Sequence, residues 1–393
     1  MGSALSLLSI LELAAILLCQ LSLARYALAA FRGRPVALRR IRASIAVAAA
    51  GVVPGILIGL RIISYRLPLS PDFLSWWHAA AFTWVCLSTA TFALWRLLRL
   101  ADLPTDPTRR KLMRVAAGGL LAAPTAVTGY GFFLERTNLT VREIDLPVLA
   151  LPPGLEGLRL VQISDIHLSA FLSELEFARM IDAANETRAH IAVVTGDLIS
   201  FPRDPMDACL KQIARLRADA GVIGCMGNHE LYTRSESYAQ REGARLGIGF
   251  LRQQAREFRF GSSVLNFGGV DYQRSARRDR YLTGAERLIK PGAVNVLLSH
   301  NPDVFPVAAR QGWDATLSGH THGGQVTVEI VEQMLNPARF LTPFVYGRYS
   351  SATGPKNPVL YVTRGLGTIG IPVRLGALPE IAVLRLTKGP VEG

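Results

Sequence analysis

Histidine, aspartate and asparagine recur in this chain at the ends of short apolar runs. Asp165-Ile166-His167 follows residues 158–164, and Gly196-Asp197 follows 190–195. Gly227-Asn228-His229-Glu230 follows 221–226. His300 follows 294–299, and Gly319-His320-Thr321-His322 follows 314–318. Neutral imidazole and carboxylate are ligands for Zn²⁺, Mn²⁺ and Fe. The four cysteines (Cys19, Cys86, Cys209, Cys225) are too scattered for a thiolate site or a disulfide framework. Five of the seven histidines sit in these turns; His78, in an apolar run, and His190, at a strand start, read as structural. Glycines precede Asp197, Asn228 and His320, as expected where backbone turns sharply beneath a ligand. Each element alone says little. All five, each closing an apolar run, point to a metal centre.

The runs that carry these turns are short and β-rich, with helical stretches at 174–184 and 205–217 between them. Strands alternating with helices, with polar residues at the carboxyl ends, predict an α/β fold with its site at those ends. Residues 359–363 and 380–386 again read as strand. A domain of residues 136–393 is long enough for one large α/β core.

The first 135 residues differ in kind. They carry four apolar runs, 4–24, 43–60, 73–95 and 115–134, and about 20 helical residues span a bilayer core. The expectation is a helical membrane region, 1–135, of about four transmembrane helices. Pro54 interrupts the second run, and Glu12 in the first should face another helix. A mean hydropathy of +0.26 argues against a wholly water-soluble globule and against disorder. Twelve arginines and lysines fall at 25–42 and 96–114, against Arg61 and Arg66 in the other connection. The positive-inside rule then puts both termini, and everything after residue 135, outside the cytoplasm. Residues 108–114, Thr-Arg-Arg-Lys-Leu-Met-Arg, are similar to a twin-arginine export signal; a retained anchor is expected.

The motif set Asp165-Ile166-His167, Gly196-Asp197, Gly227-Asn228-His229-Glu230, His300 and Gly319-His320-Thr321-His322 resembles the calcineurin-like metallophosphoesterase superfamily, in its membrane-anchored bacterial branch. Gly323-Gly324-Gln325 and Arg364-Gly365-Leu366-Gly367 resemble that branch as well. The resemblance covers roughly residues 155–386. It implies a four-layer α/β/β/α sandwich and two divalent metal ions, Mn, Zn, Fe or Mg. Asp165, His167, Asp197 and His322 would hold one metal. Asp197, Asn228, His300 and His320 would hold the other, with Asp197 bridging. His229 would be the catalytic acid that protonates the leaving oxygen. Such a metal pair lowers the pKa of bound water from 15.7 towards about 7. Glu230 either raises the His229 pKa or serves as a helix N-terminal residue.

These readings predict a phosphoester hydrolase in a bacterial inner membrane, acting on a lipid-linked phosphate, phosphodiester or pyrophosphate. Residues 330–358, with Arg339, Phe340, Phe344, Tyr346, Arg348 and Tyr349, interrupt the strand pattern and form either a substrate loop or an inert surface loop. The alternatives are a nucleotide or nucleic-acid phosphodiesterase, or a pyrophosphatase of the UDP-2,3-diacylglucosamine type. A net charge of only +4 over 136–393 (29 basic, 25 acidic) offers no long nucleic-acid track, so no nucleic-acid partner is expected. A non-enzymatic scaffold or transporter is disfavoured by the complete ligand set.

Overall fold

The computed structural model describes residues 7–59, 69–99, 106–330 and 333–389, and of residues 7–13 the backbone alone. The chain divides into two compact units, Met1–Tyr130 and Gly131–Gly393.

The first unit is helical: α1 (Leu7–Ala30), α2 (Pro35–Gly59), α3 (Pro71–Leu98) and α4 (Pro107–Phe133), the last crossing into the second unit. Among the described residues three stretches are long and apolar enough to cross a membrane: 35–58, 71–98 and 107–137. About four were expected, and three qualify among the described residues. The first apolar run falls on α1, whose described apolar part, Leu17–Ala29, is too short to qualify. Glu12 and the Arg61–Arg66 connection lie outside the described side chains. The basic residues flanking the spans are largely helical rather than in loops: Arg39, Arg40 and Arg42 are on α2, and Arg109, Arg110, Lys111 and Arg114 open α4.

Close helix contact surrounds Pro54, which cannot donate to the carbonyl four residues back. A Cβ on Gly55 would sit 2.5 Å from Ala81 Cβ, so the glycine lets α2 approach α3. Trp77 Nε1 donates to the Gly51 carbonyl at 2.7 Å, and His78 Nδ1 meets the Gly55 carbonyl at 3.1 Å. His78 thus serves backbone.

Among its described residues the second unit has fourteen strands: β1 (Thr140–Val148), β2 (Arg159–Ile163), β3 (Ile191–Val194), β4 (Val222–Gly224), β5 (Ile248–Phe250), β6 (Gln254–Phe260), β7 (Ser263–Gly269), β8 (Val294–Leu298), β9 (Ala315–Ser318), β10 (Val328–Ile330), β11 (Gln333–Leu335), β12 (Gly347–Ser350), β13 (Val359–Val362) and β14 (Glu380–Lys388). Two six-stranded sheets run β1-β14-β2-β3-β4-β5 and β12-β13-β9-β8-β7-β6. Between them lies an apolar layer that includes Leu160, Val193 and Ile223 from the first sheet and Phe267, Val296 and Leu317 from the second. The outer face of the first sheet is covered by α5 (Glu174–Glu186), α6 (Met206–Ile213) and α8 (Glu236–Arg245), through Phe177, Leu210 and Ala239. The outer face of the second is covered by α9 (Phe305–Gln311) and neighbouring turns, around Trp313 and Leu297. This is the four-layer α/β/β/α sandwich.

The helix at 174–184 forms because Ser173 caps it and Glu176 closes a capping box, with apolar Phe177, Met180, Ile181 and Ala184 facing the sheet. The sequence reading missed β1, β5, β6, β7, β10, β11 and β12. β1 and β6 are edge strands in which exposed charged residues, Arg142, Glu143 and Asp145 in the first and Arg256, Glu257 and Arg259 in the second, break up the apolar ones and leave no apolar run to detect.

Strands β2, β3 and β4 are mutually parallel, as are β8, β9 and β13. The turns after them converge where the two sheets meet. Beneath that point the buried Gln162 amide donates to Thr195 Oγ1 at 2.9 Å and to the Ser318 carbonyl at 3.0 Å, joining the sheets.

Candidate metal centre

Every turn picked from the sequence reaches this point of convergence. Asp165 and His167 follow β2, Asp197 follows β3, and Asn228 and His229 follow β4 through α7 (Asn228–Thr233). His300 follows β8, and His320 and His322 follow β9. The backbone there is unusual. Asp165, His167, Asp197, His320 and His322 all have positive φ, between 47° and 76°. Non-glycine residues in that region carry strain, which the surrounding packing must hold. Glycine supplies the close approach: a Cβ on Gly227 would collide with the Asp197 carboxylate, and one on Gly319 with Ser164 and Asp165.

The side chains pack tightly. Asp197 Oδ2 lies 3.1 Å from His300 Nε2 and 3.5 Å from His167 Nε2. His322 Nε2 lies 3.1 Å from His167 Nε2 and 3.4 Å from Asp165 Oδ1. Among the described residues three groups can each present ligand atoms within 4.8 Å of one another: Asp165, His167 and His322; His167, Asp197 and His229; and Asp197, His300 and His320. Asp197 belongs to two of them.

Partners behind these groups fix their orientation. His300 Nδ1 donates to the Thr195 carbonyl at 2.6 Å, and His229 Nδ1 donates to the Ser200 carbonyl at 2.8 Å. His167 Nδ1 shares a hydrogen bond with Ser200 Oγ at 3.0 Å. In each case Nε2 is left to face the site. The His229 amide donates to Asp197 Oδ1 at 2.8 Å and the His320 amide to Asp165 Oδ1 at 2.9 Å. Glu230 touches no imidazole in this way. It is fully buried and accepts from the amides of Asp197 (2.9 Å), Leu198 (2.7 Å) and Gly227 (2.8 Å), bracing two ligand turns. The helix-N-terminal alternative therefore describes it better than a partner for His229.

Electrostatics fit a cation. Burial lowers His167 and His320 to about 3 and His322 well below its ordinary value, so these rings are neutral and offer lone pairs. Burial would push Asp197 up, but His300, His229 and His167 outweigh it and hold the carboxyl well below the usual range. Burial raises Asp165 to about 6. Burial opposes protonation of His300, yet the adjacent Asp197 carries it to about 9. Asn228 Oδ1 and His322 Nδ1 are buried with no hydrogen-bond partner among the described residues. Oriented neutral imidazoles, ionised Asp197 and an orphaned amide oxygen are the donor set a divalent metal needs.

Sequence reasoning missed several supports. Thr195 and Ser200 act chiefly through carbonyls, which carry no sequence signal. Arg374 is fully buried, and its guanidinium donates to the carbonyls of Ala377 (2.7 Å), Arg364 (3.0 Å) and Gly365 (3.1 Å), as well as to Gly367. That holds the Arg364–Gly367 turn against Asp165, where the Gly367 amide donates to the Asp165 carbonyl at 2.7 Å. His190 accepts the Arg159 amide at 3.1 Å, away from the site.

Residues 158–324 match the family model for calcineurin-like phosphoesterase. The chain is similar to the uncharacterized metallophosphoesterase YkuE of Bacillus subtilis, 29% identical over 71% of this chain and 97% of the relative. It is also similar to transmembrane proteins with metallophosphoesterase domain from Danio rerio, 30% identical over 64% of this chain, and Bos taurus, 26% identical over 72%. The matches span 58% and 65% of those two vertebrate proteins, less than two thirds of each.

Proposed function

Because the chain belongs to the calcineurin-like metallophosphoesterases and is a metal-dependent phosphoester hydrolase with membrane helices, we propose that it holds two metals and hydrolyses a lipid-linked phosphate outside the cytoplasm of a bacterial cell. Asp165, His167, Asp197 and His322 would hold one ion, and Asp197, Asn228, His300 and His320 the other. The observation that carries the two-metal reading is Asp197 Oδ2 lying between His300 and His167, at 3.1 and 3.5 Å. When bound, the metals would supply Lewis-acid charge to make water nucleophilic at neutral pH and to stabilise charge on the phosphoryl oxygens. Asp197 contributes the anionic charge that the two sites share. Its amide and that of Gly227 are fixed by Glu230, so the carboxylate is positioned before substrate arrives. His229, with its Nδ1 proton committed to Ser200, presents Nε2 to donate a proton to the leaving oxygen.

Support for a lipid-linked substrate comes from the 336–349 segment. Phe340 is 93% exposed and Leu341 77% exposed, beside exposed Arg339. The segment is fastened to the turn carrying the ligands: Asn336 Nδ2 donates to the Gly323 carbonyl at 2.8 Å, and Thr321 Oγ1 to the Val345 carbonyl. An apolar, basic tip on an anchored loop suits an acyl chain near an anionic headgroup. Phe344 has a different task, packing edge-on against Phe305 and Tyr349 at 5.8 and 5.2 Å. Replacing Phe340 and Leu341 by Ser, with Phe344 untouched, should raise the KM for a lipid-linked phosphate. Hydrolysis of a small chromogenic ester should not change. An equal change on both substrates, in a folded variant, would favour an inert loop.

The location is tested with reporters. One active only outside the cytoplasm should work when fused after residue 393 or near residue 68, and a cytoplasmic one near residue 105. Replacing Arg109 and Arg110 by Lys should retain the domain inside if the pair is a twin-arginine signal. Continued export would remove the signal and leave the orientation, because lysines preserve the charge. A cytoplasmic C-terminal reporter would overturn the orientation and make a cytoplasmic nucleotide-activated lipid the leading substrate.

A further inference from the structure

A cavity of about 250 Å³ opens beside the metal centre. Its floor includes Gly227, the residue before Asn228, and its wall includes Tyr272. The Tyr272 hydroxyl is 3.4 Å from His320 Nε2, and its ring centroid is 6.1 Å from that of His300. The cavity therefore adjoins the ligand set directly.

Three arginines, Arg274, Arg277 and Arg280, line the same cavity, together with Asp271 and Glu236. Their charges are not equally available. Asp271 is taken in bidentate fashion by Arg252, at 2.7 and 3.0 Å. Arg280 lies 3.8 Å from Asp279. Arg274 and Arg277 are exposed and have no carboxylate within ion-pair distance among the described residues. Glu236 is thus the lining carboxylate left against two uncommitted guanidinium groups. A planar guanidinium pairs with phosphate through two parallel hydrogen bonds, which an ammonium cannot do.

We infer that this cavity is a second phosphate site: Arg274 and Arg277 bind a phosphoryl group adjoining the one hydrolysed at the metals, so the substrate carries at least two. This rests on the hydrolase reading above and deepens it, from a phosphoester in general to a diphosphate-bearing one. Neither arginine touches the metal ligands in this scheme, so each governs binding and leaves the chemistry alone.

Binding and turnover test this separately. Full-length protein in detergent, stripped of metal with a chelator, is melted with and without inorganic pyrophosphate. Removing the metals takes away the cations that would themselves hold an anion, and the comparison of the double variant with wild type isolates the part the arginines play. Pyrophosphate should raise the Tm of the wild-type chain and of a control, Arg217→Gln, and should not raise that of Arg274→Gln/Arg277→Gln. A Tm rise that persists in the double variant, or is missing from the wild type, overturns the proposal. In the metal-loaded protein the double variant should show a KM raised about tenfold or more for a diphosphate substrate, the equivalent of one lost charged contact. A nucleoside diphosphate and an isoprenyl diphosphate serve as the two probes, and a rise on either supports the site. A one-phosphate chromogenic ester should keep its KM and kcat. Equal loss on that ester would assign the arginines a structural role and overturn the proposal. A wild-type chain that cleaves no ester with any metal would instead refute the hydrolase reading, while the melting result still decides the anion site.

Discussion

Asp197→Asn should abolish metal loading and turnover together. Asp197 is the one residue assigned to both metals, and its two oxygens have separate duties. Oδ2 faces His300 and His167, while Oδ1 accepts the His229 amide. An amide in this place loses the negative charge that offsets two dications. It also presents an N–H either to a bare imidazole nitrogen or to the His229 N–H, so one contact is lost in each orientation. Loss of a partner behind a metal ligand typically costs about 10–100-fold. Loss of the shared ligand should exceed that, with metal content falling below two ions per chain. Metal analysis of the purified variant, alongside its melting curve, checks this. A folded variant with two metals and normal turnover would sink the bridging assignment.

The candidate ligands were legible in sequence because metal chemistry restricts residue type, and because a parallel strand must deliver each side chain at its carboxyl end. Asp165, Asp197 and His300 each stand within a residue or two of a run that could only be a buried strand. What sustains them was not legible. Thr195 and Ser200 orient His300 and His229 with backbone oxygen, which any residue type provides. Glu230 stood next to a catalytic candidate in sequence, yet its carboxylate points back into two turns, because successive side chains leave α7 about 100° apart. Arg374 is 52 residues beyond His322 and reaches Asp165 through an intervening turn, so spacing offers no clue to it. The exposed edges β1 and β6 were missed for the opposite reason, since solvent permits almost any polar residue there. In the 330–358 segment, composition alone could not divide Phe344, which packs inside, from Phe340, which stands in solvent; only the fold separates them.

The role of His229 is where geometry leaves two chemistries in competition. Its ring packs edge-on against His167 at 4.7 Å, and it can join His167 and Asp197 as a possible metal-holding group. A ligand and a proton donor differ in what their loss does. If His229 were a ligand, His229→Ala would release metal and slow every substrate alike. As the acid acting on the leaving oxygen, it should leave both metals in place. The rate on a poor leaving group should then fall about 10²–10⁴-fold, the usual range for general acid catalysis. The deficit should shrink on nitrophenolate, which departs without a proton, so the ratio of the two losses reads the role directly. The Nδ1–H bond to Ser200 at 2.8 Å fixes the tautomer and leaves Nε2 facing the site, as the Thr195 bond does for His300, so it suits either role and the variant decides. Retained metal with leaving-group-dependent loss is the expected result; equal losses on both esters, or a metal-depleted variant, would move His229 into the ligand set.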